Sequence, residues 1–242
     1  MNSVANPLSL GFYSVNEAAR LIEMGSARRI YGWLRGYPGR QAGPLIARQF
    51  QPLNGAEEIS FLDLMELRLI EMLREQDVRP RTIRAAINEA RKIFGNEKPF
   101  ATDKILLKTD GKRVFVEEVL KKAAKDEQDR RLWNLVTKQY EHYELIERSL
   151  IQGVVFDPKT SLARTWNPRP NRFPDIIIDP RLAYGKPVVP SKIPTEAIFD
   201  LWKAEGESLE AASNWLEVPI SEADMAVRFE QELRRQPEPL AA

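Results

Sequence analysis

With 242 residues, a formal net charge of +1, 43% hydrophobic and 29% charged residues, the chain has the length of two compact units and the make-up of an ordinary globular protein. The absence of cysteine excludes disulfides, thiolate catalysis and cysteine-based zinc or iron–sulfur centres. The one histidine, His142, lies in Gln139-Tyr140-Glu141-His142-Tyr143-Glu144, a charged helical pattern, and a Ser-His-Asp triad could use no other. Acidic residues recur at helical-surface spacings beside Lys and Arg, the pattern of a solvated, salt-bridged face rather than of a carboxylate nuclease site. The chain is therefore expected not to be an enzyme and to use no cofactor or metal.

No run approaches the roughly 18 consecutive apolar residues that span a bilayer. The opening Met1-Asn2-Ser3-Val4-Ala5-Asn6-Pro7 has neither a basic n-region nor an apolar h-region, so a cytoplasmic protein is expected. The near-neutral total conceals a gradient. Residues 1–56 carry six Lys/Arg against two acids, whereas residues 201–242 carry four against nine. A basic head and an acidic tail predict two different partners.

In chain order, Ser14 with Glu17 three residues on forms a capping-box signal for a first short helix. Ser26 is a second N-cap candidate, opening a helix over Ala27–Arg35 that Gly36 would stop. Two short helices around a Gly-containing turn make a helix-turn-helix candidate. At 100° per residue, Ala27, Ile30, Trp33 and Leu34 gather on one side of the second helix, while Arg28, Gly32 and Arg35 gather opposite. Tyr31 lies at one margin of that cationic side and Arg29 at the other. A solvated helix surface disfavours glycine by about 1 kcal/mol, so a bare Gly32 between arginines predicts close approach by a phosphate backbone or base edge.

The turn-rich 37–44 segment and the apolar-polar run 45–50 occupy the place of a wing, with a short strand expected over 45–50. A helix is predicted from Ser60 through Glu75, with Phe61, Leu64, Met65, Met72 and Leu73 at helical spacing. Another starts at Pro80, buries Ile83, Ala86, Ile87, Ala90 and Phe94, and closes at Gly95. Residues 104–116, two β-prone runs around Asp110-Gly111, predict a type I′ hairpin. Residues 117–151 predict a long charged helix whose Leu132, Leu135, Val136, Tyr140, Tyr143 and Ile146 form a dimerisation surface. A second hairpin is expected from 153–158 and 161–166, followed by short pieces limited by Pro168, Pro170 and Pro174.

From Asp175 the texture changes: Ile176-Ile177-Ile178 and Val188-Val189 are β candidates, and helices are expected at about 195–204, 208–216 and 221–233. This trihelical unit is rich in glutamate, which phosphates would repel, so contact with protein is expected there. Residues 236–242 are expected to fray.

Two stretches carry a family resemblance. Tyr13-Ser14-Val15-Asn16-Glu17-Ala18-Ala19, with Met24-Gly25-Ser26-Ala27-Arg28-Arg29-Ile30-Tyr31 after it, resembles the opening helices of MerR-type winged helix-turn-helix proteins. The phrase Ile178-Asp179-Pro180 through Gly185-Lys186-Pro187-Val188-Val189 to Ile193-Pro194-Thr195 resembles the domain of unknown function 433 family, with Pro190-Ser191-Lys192-Ile193-Pro194 where that family has Gly-Thr-Arg-Ile-Pro. Proteins combining the two parts resemble VapB-type antitoxins, which pair with PIN-like ribonuclease toxins. The resemblance implies that Arg28, Arg29, Tyr31 and Arg35, with Ser26 and Gly32 on the same helix, face DNA, while Arg40 or Arg48 reaches phosphates from the wing.

The expected fold is mainly α with short β-hairpins: an N-terminal winged helix-turn-helix over 1–100, hairpins and a connecting helix over 101–174, and a C-terminal trihelical, helix-turn-helix-like domain over 175–235. The expected function is that of a type II antitoxin that binds operator DNA as a homodimer or larger even-numbered assembly and neutralises a PIN-like ribonuclease. The alternatives are a MerR-like regulator without a toxin and a toxin inhibitor that does not bind DNA.

Overall fold

The structure, a computed structural model, describes residues 10–37, 43–51, 56–75, 78–103 and 152–235. Among them, seven helices accompany a small antiparallel sheet: α1 Val15–Leu21, α2 Ala27–Arg35, α3 Phe61–Glu75, α4 Pro80–Phe94, β1 Val154–Phe156, β2 Ala163–Trp166, β3 Ile177–Ile178, β4 Pro187–Val188, α5 Thr195–Ala204, α6 Leu209–Leu216 and α7 Ile220–Arg235. The strands lie in the order β1-β2-β3-β4. This is the expected mainly α chain with short β elements. No helix among the described residues is long and apolar enough to cross a membrane. The hairpin expected at 104–116, the helix at 117–151 with its six dimerisation residues, and the 236–242 tail lie outside the described residues.

The described residues fall into two compact units, each discontinuous in sequence. One lies within Met1–Arg28, Phe50–Phe61 and Arg164–Ala242, the other within Arg29–Gln49 and Leu62–Ala163. The boundaries expected at 100 and 175 do not coincide with them. The first stretch of chain packs instead with residues far downstream, for reasons visible in its hydrogen bonds.

In the first unit, α1 begins as its sequence dictates: Ser14 Oγ accepts from Glu17 N–H at 3.3 Å and Glu17 Oε2 accepts from Ser14 N–H at 2.8 Å. Such a cap stabilises a helix by about 1 kcal/mol. Tyr13, one residue earlier, pairs with Ile59 in an antiparallel bridge and donates its hydroxyl to Gly185 O at 2.8 Å. Burial pushes the Tyr13 phenol well above its ordinary range, so it remains a donor. Lys186 binds Glu17 of α1 and Glu196 of α5, the latter at 3.1 Å. Burial alone would raise the Glu17 carboxyl, but the bonds from Lys186 and Ser14 outweigh it and hold the group below the usual carboxylate range. Arg169, itself buried, donates to Leu21 O at 3.1 Å and so closes the end of α1.

The three C-terminal helices enclose Ile198, Phe199, Trp202, Ala212, Val218, Ala223, Ala226 and Val227. The expected bounds for the first two hold to within a residue. The third starts at Ile220, directly after Pro219, and runs to Arg235. Ser208 caps α6 by accepting from Ala211 N–H at 3.1 Å, whereas Thr195 Oγ1 donates at 2.6 Å to the buried Glu230. Strands β3 and β4 pair antiparallel through Ile177 with Val188 and Ile178 with Pro187.

In the second unit, α4 begins with Pro80 in its first turn and stops at Gly95, whose φ of 61° is the left-handed conformation that glycine adopts without strain. Leu64, Leu67, Ile70, Ile83 and Ile87 are its buried apolar centre. The strand expected over 45–50 is not formed. Leu45 and Ile46 are buried, and Leu45 N–H donates to Trp33 O at 2.8 Å. Gln49 N–H goes to Asp63 at 3.3 Å. The Leu45 and Gln49 N–H groups thus go to a carbonyl of α2 and a carboxylate of α3 rather than to a neighbouring strand.

Beneath it, Lys98 Nζ reaches Ala47 O, Asp63 Oδ1 and, at 3.3 Å, Glu66 Oε2. All three ionisable side chains are buried. Burial drives the Glu66 carboxyl up to about 7 against the opposing pull of Lys98. The folded protein therefore holds this proton to about pH 7, whereas an unfolded chain releases it near 4.5. Stability contributed by protonated Glu66 is complete below pH 4.5 and is lost as pH rises through about 7. Glu66→Gln, neutral at every pH, is expected to flatten the decline in melting temperature between about pH 5 and pH 8. An undiminished decline in the variant refutes that assignment.

Candidate nucleic-acid interface

Helix α2 carries the residues assigned to DNA. Its apolar stripe lies where the periodicity places it, with Ala27, Ile30, Trp33 and Leu34 each at most 1% exposed. On the other side Arg28 and Arg35 are exposed, and the Arg35 guanidinium lies 5.1 Å from the centre of the Tyr31 ring. That contact orients the guanidinium. Ser26 and Tyr31 are half-buried. The last turn of the helix ends at Gly36, whose φ of 83° and N–H to Gly32 O at 3.0 Å let the chain reverse.

That reversal changes the expected role of Gly32. The glycine is buried under Tyr37, and a Cβ at this position would lie 2.6 Å from the Tyr37 hydroxyl oxygen. The missing side chain makes room for the protein's own aromatic ring rather than leaving an open notch. Tyr37, which is 38% exposed, covers the site where a base edge was expected to enter.

Arg29 is also placed differently. Its Nη2 donates to Glu71 Oε1 of α3 at 2.6 Å, with the Arg29 side chain 41% exposed and that of Glu71 7% exposed. Burial raises the Glu71 carboxyl, and Arg29 opposes the shift. The other Glu71 oxygen, Oε2, is buried without a hydrogen-bond partner. Arg29 therefore serves an internal carboxylate first, and any outward role is shared with it.

Arg48 is half-buried, and Arg40 lies outside the described residues. Arg84 of α4 donates to Pro44 O at 3.2 Å and so fixes the start of the segment where a wing was expected. Tyr37, Glu71 and Arg84 are the contributors that sequence reasoning missed. Tyr37 alone had a local signal, since it follows Gly36 and an aromatic there can fold back on the helix. The structure thus brings Arg28, Tyr31 and Arg35 to one exposed side of α2, withdraws Gly32 from it and divides Arg29. Among the described residues no group of His, Asp or Glu side chains is disposed to hold a metal ion.

A mainly helical chain with a four-stranded antiparallel sheet and a cationic helix side is the class that fold and site together define. No protein-family model matches the chain, and no curated protein sequence matches it. Among solved structures it is similar to the crystal structure of Rv2018 from Mycobacterium tuberculosis, at 21% sequence identity and a TM-score of 0.65. The match covers 89% of this chain and 96% of that one. At this identity the likeness speaks for the fold alone.

Proposed function

We propose that the protein is the antitoxin of a type II toxin–antitoxin system, which represses its own operon by binding operator DNA and neutralises a PIN-like ribonuclease. The observation that carries the DNA-binding part is the exposed Arg28, Tyr31 and Arg35 side of α2, backed by a fully buried apolar stripe. Such a helix can lie in a major groove with its guanidinium groups on phosphates and base edges while its other side remains anchored. An assembly of two copies would set half-sites about 34 Å apart, one helical turn of DNA. The acidic C-terminal helices supply a second surface of opposite charge, suited to protein rather than to phosphate.

Arg28→Ala and Arg35→Ala are each expected to lower operator affinity roughly tenfold and to flatten the dependence of log affinity on log salt by about one unit. Gel shifts across a salt series on the promoter of its operon measure both quantities. Wild-type affinity in both variants would remove α2 from the interface. Two observations favour a second reading. The Arg29–Glu71 pair and the Tyr37 cover on Gly32 are what a helix retained for packing would have. A toxin inhibitor without DNA-binding activity would then form the toxin complex normally and give no shift at low salt.

A further inference from the structure

Helix α1 ends on a residue that its backbone conformation does not favour. Glu23 N–H goes to Arg20 O at 3.2 Å and Met24 N–H to Ala19 O at 2.8 Å, the paired bonds that close a helix around one left-handed residue. That residue is Glu23, with a φ of 59°. Glycine is favoured there, because an L side chain crowds the backbone. Gly25, the glycine of this turn, does not take a positive φ, and apart from its chain neighbours no atom of the described residues lies within 4 Å of where its Cβ would be. The strain thus falls on a glutamate although a glycine stands two residues on.

What the glutamate gains is a buried cation. Its Oε1 lies 3.2 Å from Arg169 Nε, the Arg169 side chain being 6% exposed and that of Glu23 56% exposed. The same guanidinium donates to Leu21 O at 3.1 Å, to Arg20 O at 3.4 Å and to Glu232 Oε1 at 3.3 Å. It therefore grips the last two residues of α1 together with the residue that turns the chain away from it. Burial lowers the Arg169 guanidinium below its ordinary value, and Glu23 and Glu232 are the acids that oppose the shift.

The grip has a firm base. Arg169 stands between Pro168 and Pro170, its N–H is bound to Asn167 Oδ1 at 2.8 Å, and its carbonyl accepts from Phe173 N–H at 2.8 Å. Asn167 donates in turn to Phe173 O at 2.9 Å and to Pro174 O at 2.8 Å. The proline-rich segment is thus a fixed mount for one guanidinium, 148 residues from the helix end that it holds.

Strain of this kind persists only where the surroundings hold it, and it clusters where a conformation has a use beyond packing. We propose that the Glu23–Arg169 pair is a positioning device for DNA binding, fixing the turn before α2 in the conformation that presents Arg28 to a phosphate. Neither residue need touch DNA. A looser turn would spread the free protein over several conformations of which only a fraction can dock, and apparent affinity falls by that fraction. The inference rests on the DNA-binding reading above and adds to it two residues outside the contacting helix.

The test uses the full chain and a duplex of its operon promoter. Glu23→Gly relieves the strain and removes the ion pair, so its melting temperature should stay at about the wild-type value while operator affinity falls about fivefold. Because the bound state meets the same phosphates, the loss should be the same factor at every salt concentration, unlike that of Arg28→Ala. Arg169→Lys, which keeps the charge but not the fork, should lower affinity similarly, and the double variant should lose less than the product of the two single losses. Wild-type or higher affinity in Glu23→Gly overturns the proposal and makes Glu23 no more than an acid near the phosphates. A loss that follows a fall in melting temperature, or a double variant showing the full product, also overturns it and assigns the two residues to folding. Should Arg28→Ala and Arg35→Ala both bind as the wild type does, the DNA-binding reading itself fails and this inference fails with it.

Discussion

Lys98→Met is expected to lower the stability of the protein by about 3–5 kcal/mol, enough to unfold the second unit at moderate temperature. Lys98 is the cation between Asp63 and Glu66, all three buried, and its removal leaves two carboxyl groups in apolar surroundings with no positive charge beside them. Ala47 O loses its donor at the same time. Replacing the whole cluster, as Asp63→Asn, Glu66→Gln and Lys98→Met together, should recover much of the loss, because neutral side chains need no counter-charge. Urea denaturation of the two variants measures the difference. A single Lys98→Met variant within about 1 kcal/mol of wild type would show that the cluster is already neutral in the folded state.

Gly185→Ala is the second large effect, expected at about 3 kcal/mol from two sources. The residue has a φ of 84°, which an L side chain adopts only with strain, and its new Cβ would lie 3.0 Å from Gly11 Cα and 2.4 Å from the Tyr13 hydroxyl oxygen. Tyr13 cannot swing aside, since it is 1% exposed and its hydroxyl is bound to Gly185 O itself. Tyr13→Phe alone should lose about 1 kcal/mol with the hydrogen bond, and the double variant should be less destabilised than the sum of the two. Strict additivity in thermal melts would mean that the alanine is accommodated elsewhere.

Much of this architecture is legible locally. Ser14 and Glu17 announce α1 and Pro80 and Gly95 bracket α4, because caps act within a few residues of chain, and the three C-terminal helices form within two residues of the bounds expected for them. The buried stripe of α2 follows from the helical period. What escapes such reasoning is polar pairing over long separations. Lys98 looks like any surface lysine until α3 brings Asp63 and Glu66 to it, and Arg29 looks outward until Glu71, 42 residues on, draws it in. Gly32 was misread for a related reason: an absent side chain does not say which group occupies the space, and Tyr37 reached it before any ligand could. The 45–50 segment has strand-like composition, but its Leu45 and Gln49 N–H groups go to Trp33 O and Asp63.

Helix α1 acquires its fixed neighbours late. Gly185, Lys186 and Arg169 bind Tyr13, Glu17 and Leu21 across 148 to 172 residues. During synthesis the ribosome releases the opening helix long before the segments that secure it, so the nascent chain carries the Tyr13 hydroxyl, the Glu17 carboxylate and the Leu21 carbonyl without these partners through most of translation. An N-terminal half cut away from the rest of the chain would keep that state permanently, without the three partners that hold α1.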